Sequence, residues 1–291
     1  MKRAPAASRR AGLRCLPLTV VLAGCVACAS ASPARSGPVA APATVRVLVY
    51  NIHAGKDATG ADNLDGVTRV VRETGADIVL LQEVDRMTRR SRGVDQPATL
   101  AEKTGFHAAF GNTLHYDGGE YGIAMLSRWP IERDTLVPLP IDPPQERAGG
   151  SHEPRGALRA VIASPVGAIT VFNTHLDPSQ DDHWRRQEAD RVHMLVNEAR
   201  RAGAQLVVAG GDFNSTPESA VQHDVRAAGL RDAWLECGRG QGFTYPADSA
   251  VKRIDYLFLT GRIRCTAAEV VATRASDHRP LLVTLSIAPE S

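Results

Sequence analysis

The chain has 291 residues, 43% of them hydrophobic, and a formal net charge of +2 at pH 7. This length and composition fit one large globular domain, or two small ones, with a buried core. Five of the 34 Lys and Arg residues lie in the first 24 residues, which contain no acid, so the remainder has 29 bases against 32 acids and a net charge of −3. That remainder lacks the broad basic surface that non-specific nucleic-acid binding usually needs. The charge weighs against a dedicated DNA-binding protein but leaves room for a local basic groove.

The N-terminus has the layout of a secretory signal. Residues 1–14 are basic and residues 16–24 (LPLTVVLAG) form an apolar stretch, which is too short to span a bilayer as a mature helix. The ending LAGC, at Cys25, resembles the bacterial lipobox, after which the cysteine is acylated and becomes the mature N-terminus. The alternative is a plain signal peptide that is cut nearby.

Two further features of this region bear on export. Residues 8–13 (SRRAGL) resemble a twin-arginine signal, although Gly12 stands where that signal usually has an aromatic residue. Residues 25–43 are rich in Ala, Ser and Pro, which predicts a flexible tether. We therefore expect a signal peptide over residues 1–24 and a domain anchored through lipidated Cys25 to the outer membrane or cell surface. Free secretion and a periplasmic location are the alternatives.

Two cysteines lie in the rest of the chain, Cys237 and Cys265. In an exported protein they could form a disulfide. Two buried free thiols fit the sequence equally well.

The pattern from residue 44 onward predicts a single domain over residues 44–288. Leu64, Val67, Val70 and Val71 have helical spacing in a segment that ends at Gly75. A second helix is predicted over 182–201, with an apolar stripe that includes Trp184, and a third over 218–228. Strands are predicted at 45–52, 77–82, 122–127, 157–163, 168–173, 206–209, 255–259, 265–271 and 281–286. Since the strands outnumber the helices without a regular β-α alternation, we expect mixed sheets packed on each other with helices outside.

The strand at 206–209 leads into the sequence GGDFN, which ends with Asp212 and Asn214. One interpretation is a turn in which these side chains bond local backbone. The other is that alternate residues of an extended chain point to one side. Asp212 and Asn214 would then face a site, while Phe213 points into the core. On that view Gly210 and Gly211 would let the backbone pass close to a metal ion or phosphate.

Polar side chains recur at the ends of six predicted strands, which is a poor fit to turn chemistry alone. They are Asn51, Glu83, Asn173 with His175, Asp212, Asp255, and Asp277 with His278. Carboxylate and carboxamide oxygens without cysteine suit a hard cation such as Mg²⁺ or Mn²⁺. The chain has no H-E-x-x-H motif or Cys/His cluster, which argues against zinc, and no G-x-S-x-G or Walker motif, which disfavours a serine hydrolase and an NTPase. With histidines for proton transfer, the set points to metal-assisted attack of water on a phosphate ester.

Seven short sequence segments, several of which contain these polar residues, narrow the interpretation to one protein family. YNIHAG, LLQEVD, GIAMLSRWPI, FNTHLD, GGDFNSTP, RIDYLFL and SDHRPL occur in this order. Together they resemble the endonuclease/exonuclease/phosphatase superfamily, which includes pancreatic deoxyribonuclease, AP endonucleases, neutral sphingomyelinases and inositol polyphosphate 5-phosphatases. The resemblance covers about residues 44–287. It implies an α/β fold, a four-layer α/β/β/α sandwich of two mixed β-sheets flanked by helices, with the site at one end of the facing sheets.

The resemblance also implies roles for the residues that match its motifs. Asn51, Glu83 and Asp277 would hold the metal ion, Mg²⁺ or Mn²⁺. Asp212 and Asn214 would face the attacking water and the phosphate.

The remaining matched residues would handle protons and the phosphate. His175 and His278 would flank the scissile phosphate, and Asp255 would bond His278 and fix its tautomer. Branches of the superfamily differ in whether the position of Asp212 or that of His278 takes the proton from water, so both possibilities stay open. Asn173 is expected only to support its strand end.

Other residues have weaker interpretations. The four arginines within 86–92 could grip a phosphate-rich substrate, but a solvated loop is favoured. Arg155, in EPRGALRA, could reach the phosphate, with about equal weight for a structural role. We expect His53 and His115 at the surface and Trp184 in the core.

The motifs leave the substrate open. The inositol-phosphatase branch usually reads GDLN and carries a W-C-D-R segment, whereas this chain has GDFN and KRID. A lipid or small-molecule phosphodiester suits a membrane-tethered domain of negative charge. DNA or RNA suits the nuclease relatives and the arginine loop, and a non-catalytic envelope binding protein is a minor alternative. No motif indicates a protein partner, so we expect a monomer.

Overall fold

The computed structural model describes residues 43–288, which form twelve strands, five α-helices and two short 3-10 helices, His53–Gly55 and Ala247–Ser249. The strands are β1 Ala43–Asn51, β2 Ile78–Arg86, β3 His107–Tyr116, β4 Gly119–Ser127, β5 Ile131–Pro138, β6 Gly156–Ser164, β7 Gly167–His175, β8 Leu206–Asp212, β9 Arg231–Asp232, β10 Asp255–Leu259, β11 Ile263–Val270 and β12 Leu281–Ile287. The helices are α1 Leu64–Thr74, α2 Gln96–Thr104, α3 His183–Arg201, α4 Ala220–Ala227 and α5 Ala233–Cys237. The signal peptide and the tether up to residue 42 lie outside the described residues. Within residues 43–288, no helix is both long and apolar enough to cross a membrane.

The strands form two sheets of six. One has the order β11-β12-β1-β2-β4-β3 and the other β5-β6-β7-β8-β10-β9. Both are mixed, because β1 runs parallel to β2 and β7 runs parallel to β8, while the other pairs are antiparallel.

Alternation of side chains along the buried strands builds the layers. In β1, Val45, Val47 and Val49 point into an apolar cluster between the two sheets, whereas Leu48 and Tyr50 point to the opposite face. That opposite face packs on α1 and α2, and the outer face of the second sheet packs on α3 and α4. The four-layer sandwich of two mixed sheets flanked by helices is therefore confirmed.

Each predicted strand and helix has a counterpart, with the same bounds for β10 and shifted ends for the others, but β3, β5, β9, α2 and α5 were not predicted. Strands β3 and β5 lie at sheet edges and have mostly half-buried or exposed residues, so they lack the apolar alternation of a covered strand. The prediction that Trp184 belongs to the core is wrong. It lies in the first turn of α3, half-buried, with its ring edge-on to His183 at 4.7 Å between centroids.

Cys237 and Cys265 form a disulfide that joins the end of α5 to the edge strand β11. Of the two interpretations of these cysteines, the structure therefore has the paired one. The disulfide therefore lies at the outer edge of the first sheet, because β11 has a neighbouring strand on one side only.

Candidate active site

The polar residues at the ends of the strands converge at one end of the two sheets. In the first sheet, Asn51 ends β1 and lies beside Gln82 of the parallel strand β2. In the second, Asp212 ends β8 and lies beside His175 at the end of β7 and Asp255 at the start of β10. Parallel strands end at the same edge, and an antiparallel neighbour begins there. The topology thus gathers these side chains from both sheets.

Glu83 reaches this edge through a β-bulge. The register of β2 against β4 shifts between Leu81 and Val84, and Glu83 has a positive φ of 55°. Bulges of this kind re-aim a side chain and are common beside functional sites. Glu83 Oε1 accepts a hydrogen bond from Asn51 Nδ2 at 3.0 Å, which links β2 to β1 at the site.

The segment after β8 combines both interpretations that the sequence allowed. Phe213 is buried against aromatic rings of β10, as predicted. Asn214 does not continue the extended chain, however, because its φ is 46°. A turn brings it to the cleft instead: its backbone N–H donates to Asp212 Oδ1 at 2.9 Å, and its Nδ2 donates to Leu176 O at 2.9 Å. Asp212 is thus both a turn residue and a site residue.

The two glycines before Asp212 do not serve a ligand. A Cβ at Gly211 would lie 1.9 Å from Thr174 O of β7, and one at Gly210 would lie 2.7 Å from Tyr256 O of β10. Both positions need glycine because neighbouring strands of the same sheet approach closely. The prediction that they clear space for a metal ion or phosphate is wrong.

Asp212 Oδ2 lies at the centre of a polar cluster. It accepts a hydrogen bond from Asn51 Nδ2 at 3.1 Å, and it lies 3.6 Å from Nε2 of His278 and 3.7 Å from Nε2 of His175. On the far side of the ring, His278 Nδ1 lies 2.9 Å from Asp255 Oδ2. The structure therefore places the side chains of Asp255, His278, Asp212 and His175 next to one another in a row, as the resemblance implied. Their chemical roles stay predictions.

Burial and the charges of neighbouring groups shift the pKa values of these side chains. Burial and the nearby Asp255 carboxylate raise the pKa of Asp212 to about 7, against the opposing effect of His278. Burial lowers the pKa of His278, but the attraction of Asp255 and Asp212 and the hydrogen bond to Asp255 outweigh it and raise this pKa to about 10. Because the pKa of His278 lies above that of Asp212, a proton held by this pair is favoured on His278 rather than on Asp212.

Arg155 stands behind the other histidine. It is 4% exposed, and its Nη1 lies 2.8 Å from His175 Nδ1 and 2.8 Å from Glu153 Oε1. Burial, Arg155 and His278 together hold the pKa of His175 well below its usual value. Arg155 also lines the cleft, but this nitrogen is already committed to His175.

Comparison of the sequence with known protein families identifies the family of this chain. The family model described as "Endonuclease/Exonuclease/phosphatase family" matches residues 48–278. The chain belongs to this family. The uncharacterized protein YbhP of Escherichia coli K12 is 29% identical to the chain over 251 residues, which cover 81% of the chain and 94% of YbhP.

Solved structures share the fold of this endonuclease/exonuclease/phosphatase domain. A family member from Beutenbergia cavernae superposes with a TM-score of 0.71 at 23% identity, covering 85% of this chain and 73% of that one. A mannosyl-6-phosphatase from Bacteroides thetaiotaomicron has a TM-score of 0.67 at 20% identity, covering 83% and 99%. At these identities the likeness establishes the fold. Members of the family are hydrolases of phosphoester bonds, and they generally depend on a divalent metal ion.

The donor chemistry of the cleft fits such an ion. Glu83, Asp212 and Asp277 line one cavity of about 490 Å³. Burial and then the negative charges of Asp277, Glu83 and Asp212 raise the pKa of Tyr245 on the same wall. Three carboxylates that line one cavity provide the oxygen-rich, negatively charged environment that hard divalent cations prefer. Asn51 lies beneath them, with its Nδ2 turned to Glu83 and Asp212 and its Oδ1 accepting from His53 N at 3.1 Å.

Asp212, Asp255 and His278 could also be considered as a metal centre, because one candidate ligand atom from each lies within 4.8 Å of the others. The hydrogen bond between His278 Nδ1 and Asp255 argues against this, since it already uses the ring nitrogen on the Asp255 side. We therefore interpret the three residues as a cluster in which Asp255 is hydrogen-bonded to His278 and His278 Nε2 approaches Asp212 at 3.6 Å.

The arginines of the loop after Glu83 are paired with carboxylates, and the side chains of Arg89 and Arg92 remain 81% and 82% exposed. Each of its four arginines pairs with a carboxylate: Arg86 with Glu120, Arg89 with Asp117, Arg90 with Asp85, and Arg92 with Asp62. Two of them also lie over aromatic rings, Arg86 on Phe110 and Arg90 on Tyr116 and Tyr121. These charges hold the loop to its neighbours.

Some residues of this family member's cleft were not predicted. Glu153 does not line the cleft itself but pairs with Arg155, which does, and it carried a weak signal because it lies two positions before Arg155 in EPRGAL. Tyr245, whose ring lies 4.8 Å from that of His278 between centroids, and Lys252 also line the cleft, and no local pattern marks them. Asn173 supports the strand end as expected, because its Nδ2 donates to Leu81 O and Ala124 O of the other sheet. His53 is half-buried and His115 is exposed.

Proposed function

We propose that this chain is a divalent-metal-dependent phosphoesterase that hydrolyses a phosphodiester of a lipid or small molecule by in-line attack of an activated water. The observation that carries the proposal is the cluster around Asp212 Oδ2. Two histidine Nε2 atoms lie 3.6 and 3.7 Å from it, in the cavity that Glu83 and Asp277 also line. A proton acceptor, two nitrogen groups for phosphate oxygens and a cation site thus share one cavity.

Each residue has a stated role in this proposal. Asn51, Glu83 and Asp277 would hold Mg²⁺ or Mn²⁺, which supplies positive charge for the phosphate oxygens when it is bound. Asp212 orients and deprotonates the water, and its raised pKa suits proton acceptance near neutral pH. Asn214 lies on the cleft wall with one Nδ2 hydrogen directed to Leu176 O, which leaves the second hydrogen for the phosphate.

His278 acts from the opposite side of Asp212. Asp255 accepts its Nδ1–H, which leaves Nε2 facing the cavity and fixes the ring orientation. Protonated at Nε2, the ring donates to a phosphate oxygen and can give its proton to the leaving group. Tyr245 packs on this ring and limits its motion.

Two observations favour a small substrate over nucleic acid. The four arginines that could have followed a nucleic-acid backbone are paired with carboxylates, and the cavity is about 490 Å³. The likeness of fold to a mannosyl-6-phosphatase agrees with a small phosphoester. Lys252 lines the cleft, and no acid partner for it is found among residues 43–288.

The cellular setting is part of the proposal. The lipobox-like sequence that ends at Cys25 supports export and anchoring to the bacterial cell envelope through a lipidated cysteine. A membrane-tethered monomer would meet lipid headgroups and small phosphoesters at the envelope.

Metal dependence is the first expected result. The purified domain, residues 44–288, should hydrolyse bis-p-nitrophenyl phosphate with added Mg²⁺ or Mn²⁺ and lose this activity in EDTA. Zn²⁺ serves as the comparison ion, since oxygen donors favour harder cations. Turnover that is indifferent to chelator, from protein without bound metal, would contradict the proposal.

The substrate class is tested by parallel assays on phospholipid vesicles, small phosphodiesters and plasmid DNA. We expect turnover of the first or second class and little nuclease activity. Plasmid cleavage that falls steeply with salt would instead establish a nuclease, because each phosphate contact releases counterions. Tight binding without turnover, unchanged in His278→Ala, would favour the envelope binding protein.

A further inference from the structure

The two histidines of the cluster have partners of opposite charge. Nδ1 of His278 faces the carboxylate of Asp255 at 2.9 Å, whereas Nδ1 of His175 faces the guanidinium of Arg155 at 2.8 Å. A guanidinium has five N–H donors and no acceptor, and it does not lose its proton in proteins. Nδ1 of His175 must therefore accept this hydrogen bond through its lone pair, and it cannot carry a proton while the bond exists.

We propose that Arg155 is a positioning residue that holds His175 as the neutral tautomer with its proton on Nε2. His175 then donates a hydrogen bond to the substrate and takes no part in proton transfer. This inference rests on the proposed phosphoesterase function for the identity of the acceptor, a phosphate oxygen. The two histidines thereby differ, because only His278 has a carboxylate, that of Asp255, hydrogen-bonded at Nδ1 to support a cationic ring.

The surroundings of His175 oppose a second proton. Protonation of Nδ1 would break the bond to Arg155 and place two cations 2.8 Å apart in a site where His175 is 5% exposed. His278 adds positive charge on the other side, and Asp212, with Oδ2 at 3.7 Å from Nε2, is the opposing negative group. The low pKa of His175 follows from burial first and then from Arg155 and His278.

The donor at Nε2 remains available to a ligand. Its distance of 3.7 Å from Asp212 Oδ2 exceeds that of a hydrogen bond. Nε2 of His278 lies 3.6 Å from the same oxygen. An oxygen atom that enters beside Asp212 can therefore accept from His175 without displacing an existing bond.

Arg155 is itself held in place by a buried carboxylate. Glu153 is fully buried, with Oε1 2.8 Å from Arg155 Nη1, and its Oε2 accepts from the backbone N–H of Gly149. Arg155 Nη2 also approaches Gly150 O at 3.4 Å. Burial raises the pKa of Glu153 to about 7, and when ionised this carboxylate offsets the charge of Arg155, so the guanidinium can remain buried beside the neutral imidazole.

The test is ¹⁵N NMR of the protein labelled at histidine and free of metal, which reads the tautomer directly and needs no activity. Between about pH 6 and pH 8, where an ordinary histidine titrates, His175 should show a protonated Nε2 and an unprotonated Nδ1 throughout. Comparison with His175→Gln assigns the signals. In Arg155→Met the tautomer preference should be lost, while Arg185→Met is the matched control, because that buried arginine bonds Asp177 O, Ser179 O and Asp182 but not His175.

Activity supplies an independent readout. Loss of the donor in His175→Ala should cost about 10²–10³-fold in kcat. His175→Gln, whose amide can donate from nearly the same place, should recover most of this loss. An Nδ1–H tautomer or a titrating His175 in the wild-type spectrum would overturn the inference, as would a folded His175→Gln as inactive as His175→Ala. If no phosphoester is turned over but the tautomer is as stated, the proposed function fails and the positioning role of Arg155 stands.

Discussion

Replacing Asp212 by Asn is expected to lower kcat by about 10²–10⁴-fold, because the variant loses a positioned proton acceptor. Asp212 is 1% exposed, and its Oδ2 faces both histidine Nε2 atoms. The amide keeps the size of the side chain and an oxygen that can accept from Asn214 N, as Oδ1 does now. Its nitrogen, however, would face the nitrogen of Asn51, which now donates to Oδ2.

The measurement is kcat under saturating metal and substrate, with thermal unfolding of each variant as the control for folding. Asp232→Asn is a matched comparison, since Asp232 is also a buried carboxylate, paired with Arg253 at 2.8 Å and absent from the cleft lining. That variant should lose stability and keep its turnover. Near-wild-type turnover in Asp212→Asn would leave Asp212 with its turn role alone, as the bond to Asn214 already allows.

The sequence predicted the site well where chemistry and strand pattern coincide. The apolar runs of β1, β2, β7 and β8 identify strands that are covered by other layers. A polar residue that follows such a run lies where the strand ends, at the border of the buried part of the sheet. Parallel pairing of β7 with β8 then places His175 beside Asp212, and the packing of the two sheets brings Asn51 Nδ2 to 3.1 Å from Asp212 Oδ2. The order of the motifs added the family, and with it the pairing of His278 with Asp255.

What the sequence could not predict depends on backbone geometry and on distant partners. Glu83 was predicted as a site residue, but the bulge in β2 and the positive φ that direct it to the site are not indicated by any local residue type. Gly210 and Gly211 were assigned to a ligand because the space around a glycine is invisible in the sequence, and Thr174 and Tyr256 occupy it.

The contact between Arg155 and His175 spans 20 positions in the chain. The sequence therefore suggested equivalent histidines where the structure has two different ones. The arginine loop shows the same limit, since the acids that pair with Arg89 and Arg92, Asp117 and Asp62, lie on other segments.

His278→Ala should lower kcat by an amount similar to Asp212→Asn, about 10²–10⁴-fold, because it removes the group that faces the phosphate from the other side. The informative variant is the double one, Asp212→Asn with His278→Ala. Nε2 of His278 and Oδ2 of Asp212 are 3.6 Å apart, and the proposed mechanism has both act in one transition state. The double variant should therefore lose far less than the product of the two single losses.

The experiment measures kcat for the two single variants and the double variant, with unfolding temperatures to separate catalysis from stability. His223→Ala is the control for removing a histidine, since His223 is exposed at the surface of α4 and lies beside Asp224 rather than the cleft. It should leave kcat unchanged. Losses that multiply in a folded double variant would show that Asp212 and His278 act in separate steps. A 3.6 Å contact between them would then reflect shared burial at the end of β8 rather than a shared proton or phosphate oxygen.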